Sequence, residues 1–320
     1  MFKQIIGQDR IKTYFENAMH SGKVSHAYLI EGARGMGKKT IVGGVARAMI
    51  CETGTDCGAC RGCLMAVGHN HPDILHIRPE EGKKTISISQ VRELVATVYI
   101  RPLLADRKIV IIRGDLLSAQ GQNALLKVIE EPPEYAVFFV LCENSNAILE
   151  TIRSRCLQLK MVPYTKQEIA QILQQKGIDG KQMAIALADG NAGRGIQIFT
   201  DDTFLQMRTE LFEQLQHLFE QEKQMYRFED FLIKNKEHIG ALIENMLGIF
   251  RDMLLISFGI DVVNSDRRET IEKWQTQISN KGIFIVIENI VTAQRRLDQN
   301  VNFSLVVADL VGGSWGAIHA

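Results

Sequence analysis

The stretch that decides the fold is Gly32-Ala33-Arg34-Gly35-Met36-Gly37-Lys38-Lys39-Thr40. It has the spacing G-x-x-x-x-G-K, follows a short apolar run at residues 27–30, and precedes a helical pattern at residues 38–49. Such a loop binds phosphate groups through backbone N–H groups at a helix N-terminus and places a lysine near the outer phosphates. The spacing therefore predicts a strand, a candidate nucleotide loop and a helix, in that order.

The position after the loop lysine departs from this pattern. A working loop of this type carries a Ser or Thr there, whose hydroxyl binds Mg²⁺. This chain has Lys39 instead and offers a hydroxyl only at Thr40. We therefore interpret residues 32–40 as a degenerate loop, at which ATP binding is absent or non-productive.

The apolar run at residues 109–112 leads to a second departure. A working ATPase of this architecture needs a carboxylate at the end of that strand to orient Mg²⁺. Here the run ends at Arg113, which cannot accept a proton, and the first carboxylate follows at Asp115. The alternative is that Asp115 serves as an unusual metal ligand.

Strands and helices alternate over the first half of the chain. Continuously apolar runs such as residues 109–112 and 137–141 are typical of strands buried on both faces of a parallel sheet. The other predicted strands cover residues 27–30, 74–77 and 157–159, and the predicted helices cover 5–22, 38–49, 89–98 and 122–129. This alternation predicts a parallel α/β domain over residues 1–162.

Beyond Pro163 the predicted elements are helical. Helical patterns near residues 165–176 and 180–188, followed by a glycine-rich turn at 190–195, predict a small helical domain over 163–203. An all-α domain over residues 204–320 is predicted from helical patterns at 204–222, 226–234, 239–258, 268–279 and 283–298.

Four of the six cysteines are clustered, at Cys51, Cys57, Cys60 and Cys63. In a chain with cytosolic features, this density indicates a metal site rather than disulfides. Four thiolates can close a tetrahedral Zn²⁺ site, and because no ligand position stays open, the predicted zinc is structural. Four unrelated thiols and an iron–sulfur cluster are the alternatives.

Composition excludes a chain that binds nucleic acid through its overall charge. Lysine plus arginine and aspartate plus glutamate number 37 each among 320 residues, so there is no global positive field. No apolar run is long enough to span a membrane, and the N-terminus lacks the apolar region of a signal peptide. We expect a cytoplasmic protein with no membrane partner.

Four motifs in this order resemble the bacterial clamp-loader AAA+ subunits: GKVSHAYLIEG at 22–32, the cysteine segment, NALLKVIEEPP at 123–133 and TIRSRCLQL at 151–159. The resemblance implies an AAA+ domain at residues 1–162 with a zinc-binding insertion at 51–63. It also implies a helical lid at 163–203 and an all-α collar at 204–320, through which family members form a ring.

The resemblance also implies a role for the Ser154-Arg155-Cys156 motif. In the family this motif supplies an arginine finger to the ATP of a neighbouring subunit, which here would be Arg155, with Arg153 as the second candidate. The alternative is that Arg155 forms only a surface ion pair. The implied partners are gamma/tau and delta subunits in a hetero-pentamer, and the sliding clamp and primed DNA through that complex.

A third departure concerns the arginine with which active relatives sense the bound nucleotide. Here it is displaced by one position, to Arg194, and one residue is about 100° around a helix. Together with Lys39 and Arg113, this favours a scaffold subunit that does not hydrolyse ATP. An ATP-hydrolysing gamma/tau-type subunit and an independent zinc-dependent nucleic-acid binder are the alternatives.

Overall fold

The computed structural model describes residues 1–2, 4–178, 182–200, 202–220, 225–260, 262–299 and 301–319. The chain forms two compact units. Unit 1 comprises Met1–Gln175 and Gly190–Gly193, and unit 2 comprises Lys176–Asp189 and Arg194–Ala320. The division into three domains at residues 162 and 203 stays a prediction.

Unit 1 is built on a parallel sheet in the order β2-β3-β4-β1-β5. Its strands are β1 (Ala27–Glu31), β2 (Ile74–Ile77), β3 (Lys108–Arg113), β4 (Ala136–Cys142) and β5 (Leu157–Lys160). All seven residues of β4 are buried, as expected for a continuously apolar strand covered on both faces. The predicted α/β class with a parallel sheet is confirmed.

The register of the sheet brings the functional segments to one edge. Glu31 of β1 is paired with Cys142 of β4, and Leu141 of β4 is paired with Arg113 of β3. Because parallel strands all end at the same edge, the loops that follow β1, β3 and β4 lie side by side there. The candidate nucleotide loop follows β1 at this edge.

The helices of unit 1 begin where the sequence supplies capping groups. The side-chain oxygen of Ser87 accepts a hydrogen bond from the backbone N–H of Gln90, and the Gln90 side chain accepts one from the N–H of Ser87. The side chain of Ser118 likewise caps the next helix. The helices are α1 (Asp9–His20), α2 (Lys38–Ile50), α3 (Arg61–Val67), α4 (Ile88–Val98), α5 (Ala119–Glu130), α6 (Glu150–Arg153) and α7 (Lys166–Gln175).

From residue 182 onward the described elements are helical. They are α8 (Gln182–Ala188), α9 (Ala192–Thr200), α10 (Asp202–Glu220), α11 (Met225–Lys234), α12 (Ile239–Ser257), α13 (Arg268–Gln275), α14 (Asn280–Asp298) and α15 (Phe303–Ile318). The prediction of a turn over residues 190–195 was wrong, since α9 begins within it. The sequence pattern did not predict α15, because the sparse polar residues and the glycines of this helix hide its amphipathic period.

Unit 2 has its own apolar core around Trp274, which is fully buried. Its indole stacks on the rings of Phe212 and Phe219, with centroids 5.6 and 5.3 Å away. Unit 2 also contains a buried arginine: the Arg208 guanidinium donates to both carboxylate oxygens of the more exposed Asp266, at 2.8 and 2.9 Å. Within the described residues, no helix is both long enough and apolar enough to cross a bilayer.

Candidate functional site

The candidate nucleotide loop connects β1 to α2 in the conformation that its glycines allow. Gly35 and Gly37 have φ angles of 88° and 83°, a region that side chains with a Cβ adopt only under strain. Gly37 is the N-cap of α2, so the loop presents a helix N-terminus at the carboxyl edge of the sheet. The backbone therefore has the general form of a phosphate-binding loop.

The loop lysine is bound to its own loop. The ammonium group of Lys38 donates hydrogen bonds to the carbonyl oxygens of Gly32 and Ala33, the second at 3.1 Å. The side chain is buried, and this burial lowers the pKa of Lys38. Lys38 would have to give up both carbonyl acceptors before its charge could reach a phosphate group.

The next three carbonyl oxygens of the loop also accept hydrogen bonds from unit 1. The amide of Asn191 donates to Arg34 at 2.7 Å, the N–H of Gly193 donates to Gly35 at 2.9 Å, and the hydroxyl of Tyr164 donates to Met36 at 3.0 Å. The contact is tight, since a Cβ added at Gly35 would lie 2.4 Å from the Asn191 side-chain oxygen.

These three partners of the loop were not found from the sequence. The sequence pattern indicates a turn at residues 190–195 and assigns no role to Tyr164. The available signal was the Gly190-Asn191 pair, because Asn in a turn supplies a side-chain amide that can bond to neighbouring backbone. Nothing in the sequence indicates that the partner would be a loop more than a hundred residues away.

The end of β3 places a cation where a magnesium-binding carboxylate is needed. The Arg113 guanidinium donates to both oxygens of Asp115, at 2.8 and 2.7 Å, and to Glu143 at 3.2 Å. Hydrogen bonding to Asp115 raises the pKa of Arg113. Asp115 thus neutralises the arginine and is engaged as an ion-pair partner, rather than as a free metal ligand.

Lys39 adds a second cation beside Arg113. Partial burial and the nearby guanidinium groups of Arg78 and Arg113 lower the pKa of Lys39. Residues 39 and 113, the positions of the magnesium-binding hydroxyl and carboxylate in a working loop, thus carry cationic side chains in place of oxygen ligands, which opposes the binding of a divalent cation.

Arg155 lies on the surface of unit 1 between α6 and β5. One guanidinium nitrogen is 2.8 Å from a carboxylate oxygen of Glu130, and another donates to the carbonyl oxygen of Thr151 at 3.0 Å. The Arg155 side chain is 41% exposed. Arg153, the second candidate, has a buried Nε atom without a hydrogen-bond partner among the described residues. Arg155 is thus the more accessible of the two guanidinium groups.

The four clustered cysteines are brought together as their spacing predicts. Their sulfur atoms all lie within 4.8 Å of one another. Backbone N–H groups point at the sulfurs: that of Cys60 donates to Cys57 at 3.3 Å, and that of Cys63 donates to Cys60 at 3.4 Å. Sulfur atoms at this spacing, with N–H donors that favour thiolates, could hold a metal ion.

The neighbouring histidines and Arg194 have other surroundings. His71 is buried, and its Nδ1 accepts a hydrogen bond from the N–H of Asp73. Arg194 lies in unit 2, where burial lowers its pKa against the opposing effects of Glu244 and Asp189. Asn144 accepts a hydrogen bond from the N–H of Asn146 and so caps a short 3-10 turn after β4.

The chain matches two family descriptions that together cover most of its length. Residues 7–165 match "DNA polymerase III, delta subunit", and residues 202–311 match "DNA polymerase III, delta subunit, C terminal".

The individual proteins that are similar to this chain include delta' subunits and gamma subunits of DNA polymerase III. DNA polymerase III subunit delta' of Bacillus subtilis is 27% identical over 315 residues, which is 95% of this chain and 95% of that protein. Subunit delta' of Escherichia coli is 31% identical over 191 residues, 58% of this chain and 57% of that protein. Subunit gamma of Buchnera aphidicola is 32% identical over 173 residues, 54% of this chain and 48% of that protein.

Proposed function

Because the chain belongs to the family of DNA polymerase III clamp-loader subunits, we propose that it is the delta prime subunit, a scaffold that does not hydrolyse ATP. In this role it braces the clamp loader and donates Arg155 to the ATP of a neighbouring subunit. The near full-length similarity to delta' of Bacillus subtilis supports this assignment over the partial similarity to gamma.

The observation that carries the proposal is the pairing of Arg113 with Asp115. Phosphoryl transfer by a P-loop enzyme needs Mg²⁺, held by a hydroxyl of the loop and a carboxylate at the strand end. In this chain Lys39 and Arg113 stand at those two positions, and the nearest carboxylate is bonded to Arg113. Without these two oxygen ligands for Mg²⁺, hydrolysis by this chain is unfavourable.

The proposed contribution to catalysis is Arg155, acting in trans. A guanidinium group stabilises the negative charge that spreads over the γ-phosphate oxygens during transfer, and an arginine supplied by a neighbour contributes about 10³–10⁵ to the rate. Arg155 is on the surface, and the ion pair with Glu130 leaves it 41% exposed. Its guanidinium group is therefore accessible to a group on another chain.

For the cysteine cluster, the proposed metal is zinc in a structural role. Cys51, Cys57, Cys60 and Cys63 supply four sulfur ligands, which fill the tetrahedral coordination of Zn²⁺ and leave no position for a substrate. The bound ion would hold residues 51–67 in place, a segment with few buried apolar residues of its own.

The proposed partners are the gamma/tau and delta subunits of a hetero-pentamer, which acts on the sliding clamp and primed DNA. A second candidate function is a gamma/tau-type subunit that hydrolyses ATP itself. It is favoured by the loop glycines with positive φ and by Lys38, which keep the backbone form of a phosphate loop.

The test is the ATPase activity of the chain alone and of the reconstituted clamp loader. We expect no magnesium-dependent hydrolysis by the chain alone. In the complex, Arg155→Ala should abolish the neighbour's share of the activity, whereas Arg92→Ala, at an exposed arginine of α4, should not. Assembly of both variants is checked by gel filtration.

Two results would contradict the proposal in different ways. Hydrolysis by the chain alone that disappears in Lys38→Ala would identify the ATP-hydrolysing gamma/tau-type subunit. Unchanged activity of the Arg155→Ala complex would remove the arginine-finger assignment but leave the scaffold role standing.

A further inference from the structure

Unit 1 contains a cavity of about 500 Å³ beside the candidate nucleotide loop. Its lining residues come from α2, α3, the edge strand β2 and the neighbouring strand β3. Aliphatic side chains and glycine form much of its wall, among them Gly43, Ala46, Val67, Ile74, Ile111 and Leu116. A volume of this size is within the range of small-molecule sites in proteins, about 300–1,000 Å³.

The charged groups that line this cavity are all basic. They are Lys39, Arg47, Arg78 and Arg113, together with His69 and His76, and none of the described lining residues is acidic. A cavity with an apolar wall and only cationic groups is complementary to an organic anion.

Arg47 is paired with Asp56 and Arg113 with Asp115. Lys39 and Arg78, in contrast, make no side-chain hydrogen bond or ion pair with any residue that the structure describes. Both side chains are exposed to solvent, so a bound anion can reach them.

The basic groups also destabilise one another's protonated, positively charged forms. Partial burial, His69, Arg78 and Lys39 all lower the pKa of His76. The pKa of Lys39 is lowered by partial burial and by Arg78 and Arg113. Mutual repulsion of this kind disfavours the charged forms in the free protein, and an anion between them would relieve it.

Two aromatic rings, the imidazoles of His69 and His76, line the cavity. The rings of His69 and His76 are 5.5 Å apart in a T-shaped arrangement. Aromatic faces and edges at this spacing favour a planar ring as the apolar part of a ligand.

The cavity adjoins the end of the candidate nucleotide loop but does not include its phosphate-binding groups. Among the loop residues, only Lys39 and Thr40 reach it, and neither Lys38 nor the loop carbonyl groups at residues 32–36 are part of its lining. A ligand in the cavity therefore would not use the groups on which a phosphate loop depends.

We propose that this cavity binds an organic anion of the nucleoside phosphate class, with its planar ring against the apolar wall and its phosphate between Lys39 and Arg78. The site needs no divalent cation, because the protein supplies the positive charge. It gives the subunit a way to sense a small molecule that is independent of ATP turnover.

The test is isothermal titration of the purified chain with ADP, adenosine and inorganic pyrophosphate, without added magnesium. We expect ADP to bind, and adenosine and pyrophosphate to bind about tenfold or more weakly, because each lacks one part of the ligand. The Arg78→Gln variant should bind ADP about tenfold or more weakly as well.

A cavity-filling variant provides the steric test. A Cβ at Gly43 meets only the Arg47 guanidinium, at 3.8 Å, so Gly43→Leu fits the helix and directs its side chain into the cavity. It should abolish ADP binding, while Arg92→Gln, which removes an exposed arginine elsewhere, should bind as the parent chain does. Circular dichroism and melting temperature establish that each variant is folded.

The outcome is decisive in both directions. ADP binding that is weakened by Arg78→Gln and lost in Gly43→Leu supports the site. The proposal is overturned if millimolar ADP does not bind, or if Gly43→Leu binds it normally. Binding that is lost in Lys38→Ala but kept in Gly43→Leu would place ADP in the loop instead, which also overturns it.

Discussion

The guanidinium group of Arg155 lies 2.8 Å from a carboxylate oxygen of Glu130, the last residue of α5. Both side chains are substantially exposed, at 41% and 38%. The arginine that we propose to act on a neighbour's ATP is thus held by a carboxylate of its own chain. Because that carboxylate competes with a phosphate for the same guanidinium, the pair determines how readily Arg155 can reach a neighbouring subunit.

The first prediction concerns Glu130→Gln. Because exposed ion pairs contribute about 1 kcal/mol or less, we expect the free energy of unfolding to change by no more than that. The ATPase activity of the clamp loader should not fall, since the change frees Arg155 rather than removing it. Urea unfolding and ATPase assays measure both, with Glu131→Gln as the control. A fall as large as that of Arg155→Ala would mean that Glu130 positions the arginine.

The second prediction concerns the metal. Elemental analysis should find one zinc ion per chain, without the visible absorbance of an iron–sulfur cluster. Structural zinc contributes about 10 kcal/mol or more to the folding of small zinc modules, so a chelator should unfold residues 51–67 first. Cys57→Ser should lose zinc, and Cys156→Ala, at a buried cysteine outside the cluster, should keep it. Full zinc content in Cys57→Ser would contradict the assigned ligand set.

The third prediction concerns Asp73, whose carboxylate is fully buried. It accepts hydrogen bonds from the N–H groups of Leu103, Leu104 and Ala105, at 2.7, 2.8 and 3.0 Å. Burial by itself raises the pKa of Asp73, but these hydrogen bonds outweigh it and lower the pKa. Asp73→Ala leaves three backbone donors unpaired and should destabilise unit 1 by about 3 kcal/mol or more.

Asp73 also makes the free energy of unfolding of unit 1 depend on pH. Because the folded-state pKa of Asp73 is below the unfolded value of about 3.9, its contribution is complete above that pH. It is lost as the pH falls through the folded-state pKa. The gap in unfolding free energy between the parent chain and Asp73→Ala should therefore narrow only in acid. A gap that is constant down to the lowest pH at which unit 1 folds would contradict this.

The fourth prediction concerns the ion pair of Arg208 and Asp266 in unit 2, in which the arginine is buried and the carboxylate reaches solvent. Arg208→Leu removes both charged hydrogen bonds to Asp266, but water can still solvate that carboxylate. We therefore expect a loss of about 1.5–3 kcal/mol in the free energy of unfolding. The exposed pair between Arg268 and Glu272, 2.7 Å apart, provides the control, and Arg268→Leu should cost about 1 kcal/mol or less. Equal losses in the two variants would show that burial does not govern these pairs.

Much of the secondary structure could be predicted from local pattern. The sequence predicted all five described strands within one or two residues. The signal is clearest for β1, β3 and β4, because strands buried on both faces leave an unbroken apolar run. The failures lie where the local signal is weak. Gly193 and Gly195 suggested a turn in the segment that begins α9, and the glycines of α15 concealed a helix that is stabilised by burial against its neighbours.

The features of the candidate site also fall into two groups: those that the sequence determines and those that depend on the tertiary structure. The missing hydroxyl at Lys39, the missing carboxylate at Arg113 and the spacing of the four cysteines are properties of the sequence, since each depends on residue type at a fixed offset. Only the tertiary structure decided that Asn191 and Tyr164 bond to loop residues 157 and 128 positions away, and that Glu130 holds Arg155. Contacts between residues so far apart in the sequence depend on the order of the strands in the sheet and on the path of the chain between them. No local pattern of residues encodes that geometry.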